Sequence, residues 1–228
     1  GVNKGMRLLD VACGTGVVAL TASRAGAQVE GVDLTPELIS RAIDNSKIMG
    51  LKAKFIEGDA EFLPYKEQEF DIILSQYGHM FAPRPEVVTD ELARVLKPGG
   101  ILAFSTWPKE LFMGKFFKLI EDFSPPLPAE VASPVLWGDM TIIQRRLENK
   151  FEKIEFGRDT MYAPTMSPAH MLKLFEKNAG PLANLVKTLG DNESKLNELR
   201  NSALNLIGKF FSNNFLKQDF LMTKCIKK

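Results

Sequence analysis

The feature that most constrains this chain is a glycine loop between a predicted strand and a predicted helix, in residues 8–16 with the sequence LLDVACGTG. Residues 8–11 have the apolar character of a short buried parallel strand, and residues 17–25 that of a helix. Gly14 and Gly16 lack a Cβ where the backbone has to turn tightly and a ligand has to come close. The segment therefore predicts a strand–loop–helix unit built around a ligand.

The charge beside this loop indicates which ligand it takes. Residues 14–19 also fit the dinucleotide fingerprint G-x-G-x-x-A, in which a pyrophosphate rests on the helix N-terminus. The carboxylate of Asp10, at the end of the first strand, is unfavourable beside a pyrophosphate but favourable beside an ammonium group. S-adenosylmethionine carries an ammonium group and a sulfonium group and no phosphate. Asp10 therefore favours S-adenosylmethionine as the cofactor.

Three further strand ends are predicted to complete the cofactor site. A strand over residues 28–32 ends at Asp33, which is placed to accept hydrogen bonds from both ribose hydroxyls of an adenosine. A third strand over 54–57 leads to Asp59, which can accept a hydrogen bond from the adenine amino group. A fourth strand covers 70–74. The predicted cofactor-binding residues are Asp10, Ala12, Gly14, Gly16, Asp33, Leu34, Asp59, Ala60, Ser75 and Gln76.

Four motifs thus follow one another along the first half of the chain. They are the loop Asp10-x-x-x-Gly14-x-Gly16, Asp33 at a strand tip, GDA at 58–60 and LKPGG at 96–100. Each motif alone is a weak signal, whereas four in this order and spacing are a strong one. Over about residues 6–107 the chain resembles the class I S-adenosylmethionine-dependent methyltransferases, in particular the small-molecule subgroup that includes the quinone-biosynthesis methyltransferases.

This resemblance implies an α/β fold, a Rossmann-like doubly wound sheet of seven strands whose last strand is antiparallel, with a helical cap insertion. Residues 219–226 suit the closing strand, and the cap is expected over the carboxyl ends of the strands, where such folds bind ligands. The predicted organisation is one domain in four parts. They are a cofactor-binding core (1–108), connecting helices and the sixth strand (109–163), the helical cap insertion (164–216) and the closing strand of the core (217–228).

Aromatic residues are concentrated in the second half, where eleven of the sixteen phenylalanines follow residue 110. One interpretation is an apolar pocket for an aromatic or isoprenoid-like substrate. The other is that a small helical cap needs large side chains to form a core. The helical spacing of apolar residues in 109–123 favours packing.

Composition excludes several classes of function. The net charge of +1, from 29 basic and 28 acidic residues, favours no nucleic-acid partner. Two cysteines, Cys13 and Cys225, and two histidines predict neither a disulfide framework nor a metal site. Since the chain shows no run of transmembrane length and no signal peptide, we expect a cytoplasmic protein with a small-molecule acceptor and no stable membrane insertion.

The chain start differs from the family that it resembles. Members of that family usually carry some tens of residues before the first strand, and these form helices that cover the cofactor. Here Asp10 follows the first residue almost at once. Either a preceding segment is missing from this sequence or the cofactor site is more open, and we expect the former.

The predicted chemistry is an in-line displacement at an activated methyl group, so the protein has to align the reactants and remove any proton from the acceptor. His79 follows the fourth strand and titrates near neutral pH, which makes it the candidate general base. Tyr77 is a second, weaker candidate. Alternatively, His79 is a loop histidine that orients Tyr77 or a backbone group.

Met80, Trp107 and Trp137 are the predicted substrate-binding residues, although buried tryptophans often only fill space. Structural alternatives also exist for the cofactor residues. Asp10 can cap a strand end, Asp33 can cap a helix in competition with Thr35, and aspartates such as Asp59 are common in turns.

Rival functions make different demands on the sequence. A nucleic-acid methyltransferase is expected to carry Asn/Asp-Pro-Pro-Tyr/Phe after the fourth strand, where this chain has SQYG. An NAD-dependent oxidoreductase is disfavoured by Asp10 and by the lack of a Tyr-x-x-x-Lys pair. A noncatalytic cofactor-binding protein retains every motif and stays open.

Overall fold

The structure, a computed structural model, describes residues 1–126, 128 and 130–228. Strands and helices alternate over the first half, and helices predominate later. The strands are β1 (Arg7–Val11), β2 (Gln28–Asp33), β3 (Ala53–Glu57), β4 (Phe70–Gln76), β5 (Leu96–Thr106), β6 (Phe151–Pro164), β7 (Phe211–Ser212) and β8 (Phe215–Lys227). The helices are α1 (Val17–Arg24), α2 (Pro36–Met49), α3 (Pro85–Val95), α4 (Phe112–Phe123), α5 (Met140–Leu147), α6 (Pro168–Asn178), α7 (Gly180–Leu189) and α8 (Glu193–Phe210).

The strands form one sheet in the order β3-β2-β1-β4-β5-β8-β6, with β7 paired to β8. β1, β2, β3, β4 and β5 pair in parallel, whereas β7 and β8 are antiparallel. The Rossmann-like sheet with an antiparallel closing strand, predicted from the sequence, is confirmed. The small addition is the two-residue strand β7, which forms a hairpin with β8.

The central strand β1 is apolar throughout because it is covered on both faces. Leu8, Leu9 and Val11 are fully buried, as expected for a strand in the middle of a parallel sheet. Ala19 and Leu20 of α1 belong to the same buried core. This packing fixes the C-terminal end of β1, where the glycine loop begins.

The start of β5 differs from the sequence prediction. LKPGG at 96–100 reads as a helix end followed by a strand over 101–106, but the strand begins at Leu96. Leu96 pairs with Phe70, and Ile101 pairs with Ile72, so the four residues between them bulge out of the ladder. Gly99 has a φ of +74°, a left-handed conformation that lets the chain leave the sheet and return.

Two compact units are present within the chain. One contains Gly1–Thr106, Ala129–Gly157 and Met222–Lys228, and we call it the cofactor unit; the other contains Trp107–Pro128 and Arg158–Leu221, and we call it the helical unit. The division into four parts, with 109–163 as connecting helices and the sixth strand, stays a prediction. Of that stretch, Leu127 and Ala129 lie outside the described residues.

The reason for this division is that α4 shares a core with α6 and α8. The ring of Phe112 lies 6.2 Å from Phe175 and 5.4 Å from Phe210, centroid to centroid. The ring of Phe116 lies 4.9 Å from that of Phe175. Because Phe112 and Phe116 are fully buried and pack against the half-buried rings of Phe175 and Phe210, the structure favours the core interpretation of the phenylalanine-rich half.

Local signals place the helix starts of the helical unit. The hydroxyl of Ser167 accepts a hydrogen bond from the His170 backbone N–H, 3.1 Å away, and Pro168 occupies the first turn of α6. His170 itself is half-buried, with Nδ1 3.0 Å from the Thr165 hydroxyl. Among the described residues, none of the helices combines the length and the apolar character needed to span a bilayer.

Candidate cofactor and active site

Asp10, at the end of β1, connects the glycine loop to the start of α1. Its Oδ2 accepts a hydrogen bond from the backbone N–H of Ala19, 2.9 Å away, in the first turn of α1. The N-cap residue of α1 is Gly16, which has no side chain to satisfy the free N–H groups of the helix. Asp10 therefore caps α1 through its side chain, and its carboxyl group lies at the positive end of the helix dipole.

The other oxygen of Asp10 has no such partner. Only 1% of Asp10 is exposed, and its Oδ1 makes no hydrogen bond to any described residue. Burial raises the pKa of Asp10 to about 7; the hydrogen bond from Ala19 opposes this rise, and the neighbouring Asp33 adds to it. A buried, unpartnered carboxylate oxygen is a place where a cationic group would be favourable.

The two loop glycines are needed for different reasons. Gly14 has a φ of +53°, and a Cβ added there would meet no atom within 4 Å. Gly16 has a φ of +85°, and a Cβ there would come within 2.9 Å of the Phe55 ring and 3.2 Å of Ala42. The lack of a side chain at Gly16 thus serves packing, whereas at Gly14 it leaves open space above the loop.

Asp33 connects the end of β2 to this loop. Its Oδ2 accepts from the Gly14 N–H at 2.8 Å, and its Oδ1 accepts from the Thr35 N–H at 2.9 Å. Thr35 makes no side-chain cap of α2, and the Asp33 carboxylate instead accepts from a backbone N–H at that helix start. Each carboxylate oxygen has a second lone pair, so these contacts leave capacity for two hydroxyl donors.

The loop after β3 is fixed by side chains as well. Asp59 is exposed, and its Oδ1 accepts from the Glu61 N–H at 2.8 Å, which is the turn contact expected of an aspartate here. Glu61 is buried and accepts from the Arg84 backbone N–H at 2.6 Å and from its Nε at 2.7 Å. The backbone carbonyl of Asp33 accepts from Gly58 N–H at 3.0 Å, so the ends of β2 and β3 are adjacent.

Two apolar side chains at this edge are exposed. Leu34, next to Asp33, is 66% exposed, and Phe62, in the loop that contains Asp59, is 80% exposed. Ala60, which follows Asp59, is half-buried. Both apolar side chains are therefore accessible to a ligand at this edge.

The end of β4 meets the end of β1. The hydroxyl of Ser75 donates to the Val11 carbonyl at 2.7 Å and accepts from the His79 N–H at 3.2 Å. A Cβ on Gly78 would lie 2.3 Å from the Cβ of Ala12, so the two loops are in close contact. Ser75 is therefore a buried connector rather than an exposed group.

Two residues of this contact have strained backbones. Ala12 has a φ of +54° and Tyr77 a φ of +61°, both in the left-handed region that side chains disfavour. The Tyr77 N–H donates to the Ser105 carbonyl at 3.1 Å, which holds the turn. Gln76 is exposed and lines a groove of about 350 Å³ together with residues of α1 such as Val17.

His79 lies in an aromatic cluster and is only 1% exposed. Its ring centroid is 4.5 Å from Phe104 and 4.7 Å from Trp137. Neither ring nitrogen has a hydrogen-bond partner among the described residues. Burial lowers the pKa of His79 to about 3, and the positive charge of Arg146 contributes, so the imidazole is neutral at physiological pH.

The predicted substrate residues are all buried. Met80 and Trp137 lie in the cofactor unit, whereas Trp107 belongs to the helical unit, where its ring is 6.3 Å from that of Phe220. Cys13 is also buried, and burial raises the pKa of its thiol above the usual range, which makes it unreactive. The roles of Met80, Trp107 and Trp137 in binding substrate stay predictions.

The structure brings the ends of β1, β2, β3 and β4 together at one edge of the sheet, as the motifs predict. Three supporting residues have no evident sequence signal: Glu61, whose partner Arg84 is distant in sequence, Asn45, whose Nδ2 donates to the Thr15 carbonyl at 3.0 Å, and Arg146. The described residues contain no cluster of three or more histidine, cysteine or acidic side chains suited to a metal ion.

Comparison with known proteins agrees with this geometry. The family model described as "Methyltransferase domain" matches residues 9–104. The uncharacterized protein Rv1405c of Mycobacterium tuberculosis is 31% identical over 229 residues, which cover all of this chain and 84% of that protein. A sterol 24-C-methyltransferase of Gibberella zeae is 36% identical over 110 residues, or 47% of this chain and 29% of that protein.

The fold is also found among solved structures. The YcgJ protein of Bacillus subtilis superposes with a TM-score of 0.65 at 21% identity, over 99% of this chain and 93% of that chain. Fold, motifs and relatives together place the chain in the class I S-adenosylmethionine-dependent methyltransferase family. Its assignment to the quinone-biosynthesis subgroup stays a prediction.

This family implies S-adenosylmethionine, and the edge of the sheet fits that molecule. The unpartnered Oδ1 of Asp10 suits a cation, and the space above Gly14 is open. Asp33 retains acceptor capacity for hydroxyl groups. Two carboxylates so close to the glycine loop are unfavourable for the pyrophosphate of a dinucleotide.

Proposed function

We propose that this chain is an enzyme that binds S-adenosylmethionine at the ends of β1–β4 and methylates a small, hydrophobic or aromatic molecule at oxygen, nitrogen or carbon. The observation that carries the proposal is the pair of carboxylates attached to the glycine loop. Asp10 caps α1 and keeps one oxygen unpartnered, while Asp33 holds the Gly14 N–H.

Each residue of the edge has a proposed role in holding the cofactor. Asp33 would accept the ribose hydroxyls with the second lone pairs of its oxygens, and Asp59 would accept from the adenine amino group. Leu34, with 66% of its surface exposed, would cover an adenine face. Asp10 would interact with the ammonium group, directly or through the loop above it.

The remaining residues of the predicted site support these contacts. Ala12, Gly14 and Gly16 shape the loop, and Ala60 follows Asp59. Ser75 connects β1 to the turn after β4, and Gln76 is the exposed polar group beside it. When bound, the cofactor supplies a methyl group on a sulfonium leaving group. The protein's main contribution is then alignment of the acceptor with that methyl group.

General-base catalysis by His79, or by Tyr77, stays a prediction. The neutral imidazole of His79 can accept a proton, but a pKa of about 3 makes that transfer unfavourable from most hydroxyl or amine acceptors. We therefore expect an acceptor that needs little assistance in losing its proton, such as an acidic phenol or an activated carbon.

One observation favours a second candidate, a noncatalytic cofactor-binding protein of the same fold. The candidate base is buried among Phe104 and Trp137, and no described residue hydrogen-bonds to its ring. Such a protein would keep the whole cofactor edge. Binding experiments cannot separate the two candidates, whereas turnover can.

The first test is titration calorimetry with S-adenosylmethionine, S-adenosylhomocysteine and NAD as the comparison ligand. We expect micromolar binding of both sulfur compounds and none of NAD. Binding of NAD alone would overturn the cofactor assignment. The second test follows formation of S-adenosylhomocysteine with phenols, quinols, lipid-like alcohols and a sterol as acceptors.

Variants make the turnover test specific. His79→Gln should retain cofactor binding, and its turnover reports whether the imidazole takes a proton. Unchanged turnover would show that His79 is not the general base. Cofactor binding without turnover on any acceptor, in the wild-type protein, would favour the noncatalytic candidate.

A further inference from the structure

A second cavity lies in the cofactor unit, away from the glycine loop. It has a volume of about 490 Å³ and lies between α3, α5 and the turn that precedes α5. Its charged lining residues are Glu86 and Asp90 on α3 and Arg145, Arg146 and Lys150 at the end of α5 and just after it. Neither the sequence motifs nor the proposed function uses any of them.

Arg146 is the unusual residue of this cavity. Its guanidinium carbon lies 4.6 Å from the centroid of the Trp137 ring, in a cation–π contact. Its Nη1 is buried and has no hydrogen-bond partner among the described residues. An indole face attracts a cation but offers no acceptor for guanidinium N–H groups. The charge of Arg146 is thus stabilised only in part.

The other charges of the cavity do not supply the missing acceptor. Lys150 Nζ pairs with Asp90 Oδ1 at 2.8 Å, so these two charges neutralise each other. Glu86 is the remaining carboxylate, and its attraction on Arg146 is weaker than the desolvation that lowers the pKa of that guanidinium. No described carboxylate forms an ion pair with Arg145 or Arg146. Two arginines therefore face one carboxylate that is not bonded to them.

We propose that this cavity binds a small anion, a phosphate or a carboxylate, on the guanidinium groups of Arg146 and Arg145. The planar guanidinium presents paired N–H donors that match both groups. Leu136 contributes apolar surface to the cavity lining, and the ring of Trp137 keeps the guanidinium of Arg146 in place. The anion would bind the guanidinium N–H groups that reach the cavity and would neutralise the charge of Arg146, which Trp137 stabilises only in part.

An anion bound at this site would affect the surroundings of His79 through Trp137. Trp137 contacts Arg146 on one side and packs edge-on against the His79 ring, with centroids 4.7 Å apart. The turn that contains Trp137 therefore connects the cavity to the segment that follows β4. This contact also makes Trp137 a reporter, because it is one of only two tryptophans in the chain.

The test is a titration with inorganic phosphate, and in parallel with acetate, followed by tryptophan emission and by calorimetry. A Trp107→Phe background leaves Trp137 as the only emitter. We expect a saturable change with phosphate, and the ratio of the phosphate and acetate affinities indicates which anion the site prefers. No cofactor is present, so the result is independent of the proposed methyltransferase function.

Three variants locate the site. Arg146→Met should weaken phosphate binding by about tenfold or more, since a charge-assisted hydrogen bond is lost. Arg41→Met removes an exposed arginine of α2 and should leave the affinity unchanged. Glu86→Gln should strengthen binding by about threefold, because a competing carboxylate near Arg146 is removed.

Clear outcomes would overturn the proposal. One is the absence of a saturable signal in the wild-type protein, and another is equal affinity in the Arg146→Met and Arg41→Met proteins. Unchanged or weaker binding after Glu86→Gln would show that Glu86 does not compete with the anion for the arginines, which contradicts the proposal. If Arg146→Met does not fold, Arg146→Lys keeps the charge without the planar fork, and unchanged phosphate affinity there would also contradict the proposal.

Discussion

The functional edge of the cofactor unit and the core of the helical unit are held together by different kinds of side chain. At the functional edge of the cofactor unit, carboxylates bind backbone N–H groups: Asp10 that of Ala19, and Asp33 that of Gly14. The helical unit has a cluster of aromatic rings centred on Phe112. Hydrogen bonds of this kind fix the position of a loop, whereas ring packing mainly requires volume.

This difference explains why one unit carries recognisable sequence motifs and the other does not. A carboxylate that has to reach a particular N–H tolerates few replacements, so its position in the sequence is informative. Aromatic core positions accept other large apolar residues of similar volume. The predictions that follow test this contrast between polar anchoring and apolar packing, beginning with the largest effect.

The largest loss of stability is expected in the helical unit. Phe112→Ala removes a buried ring that contacts Phe116, Phe175 and Phe210, and should lower the free energy of unfolding by about 3–5 kcal/mol. Urea denaturation measures this. Phe215→Ala, at a residue 43% exposed, is the matched control and should cost far less. Equal effects of the two variants would show that the ring cluster is not the core of this unit.

The largest loss of cofactor affinity is expected at Asp33. Asp33→Ala should weaken S-adenosylhomocysteine binding about a hundredfold, because two hydrogen bonds to a charged acceptor disappear. It should also destabilise the fold by about 1–3 kcal/mol, since the Gly14 and Thr35 N–H groups lose their acceptor. Calorimetry well below the unfolding temperature separates these effects.

The control for Asp33 is Asp44→Ala in α2. Asp44 is exposed, and its contact in the structure is an ion pair with Lys47 at 3.3 Å. Its replacement should leave cofactor affinity within twofold of the wild type. A loss at Asp33 no larger than that at Asp44 would remove the ribose role from Asp33.

Asp10 should make stability depend on pH. Its folded pKa of about 7 lies above the unfolded value of 3.8, so the folded state keeps a proton that the unfolded state has lost. The free energy of unfolding should therefore fall as pH rises from about 4 to 7. Relative to that of the Asp10→Asn protein, the free energy of unfolding of the wild type should fall by about 2 kcal/mol between pH 5 and 7.5.

The comparison with Asp10→Asn also cancels the opposite contribution of His79. That histidine has a folded pKa of about 3, below its ordinary value, so it stabilises the fold as pH rises from 3 to 6.5. Because both proteins contain His79, the difference between them isolates Asp10. A pH-independent difference would mean that Asp10 is ionised throughout this range.

The contact between the β1 and β4 loops should tolerate little added volume. Gly78→Ala places a methyl group 2.3 Å from the Cβ of Ala12 and should cost about 1–3 kcal/mol. Ala12→Gly in the same protein should restore part of the lost stability. It also removes the strain of an alanine in the left-handed conformation. A double-mutant cycle in urea measures the coupling, which should differ clearly from zero.

The smallest predicted effect concerns the charge of Asp10 and the cofactor. If Asp10 interacts with the ammonium group of S-adenosylmethionine, affinity should rise about fivefold from pH 6 to 7.5, as the carboxyl group ionises. In Asp10→Asn the affinity should not change with pH in this range. A flat profile in both proteins would leave Asp10 with its role as a helix cap alone.

Much of the fold and of the cofactor edge could be predicted from the sequence. The strand ends with Asp10, Asp33 and Asp59, and the glycine loop, lie where the motifs indicate, because parallel strands bring their carboxyl ends to one edge. The start of β5 could not be predicted, since LKPGG carries the signals of a helix end. Only pairing with β4 shows that Leu96 is already in the sheet.

The site residues outside the motifs were harder to predict. His79 follows β4 as expected, but its burial between Phe104 and Trp137 depends on residues far along the chain. Glu61 and Arg84 are likewise joined only in three dimensions. A histidine in a sequence has an ordinary pKa near neutrality, and its surroundings decide whether it keeps it.

The sequence by itself determined the sheet, the cofactor loop and the family, because these depend on local hydrophobic pattern and on turn residues at fixed spacing. Tertiary structure alone decided which oxygen of Asp10 is left without a partner, why Gly16 has to be glycine, and that α4 belongs to the helical core. These properties arise from contacts between residues distant in sequence. Burial and packing act through such contacts, and a local pattern does not encode them.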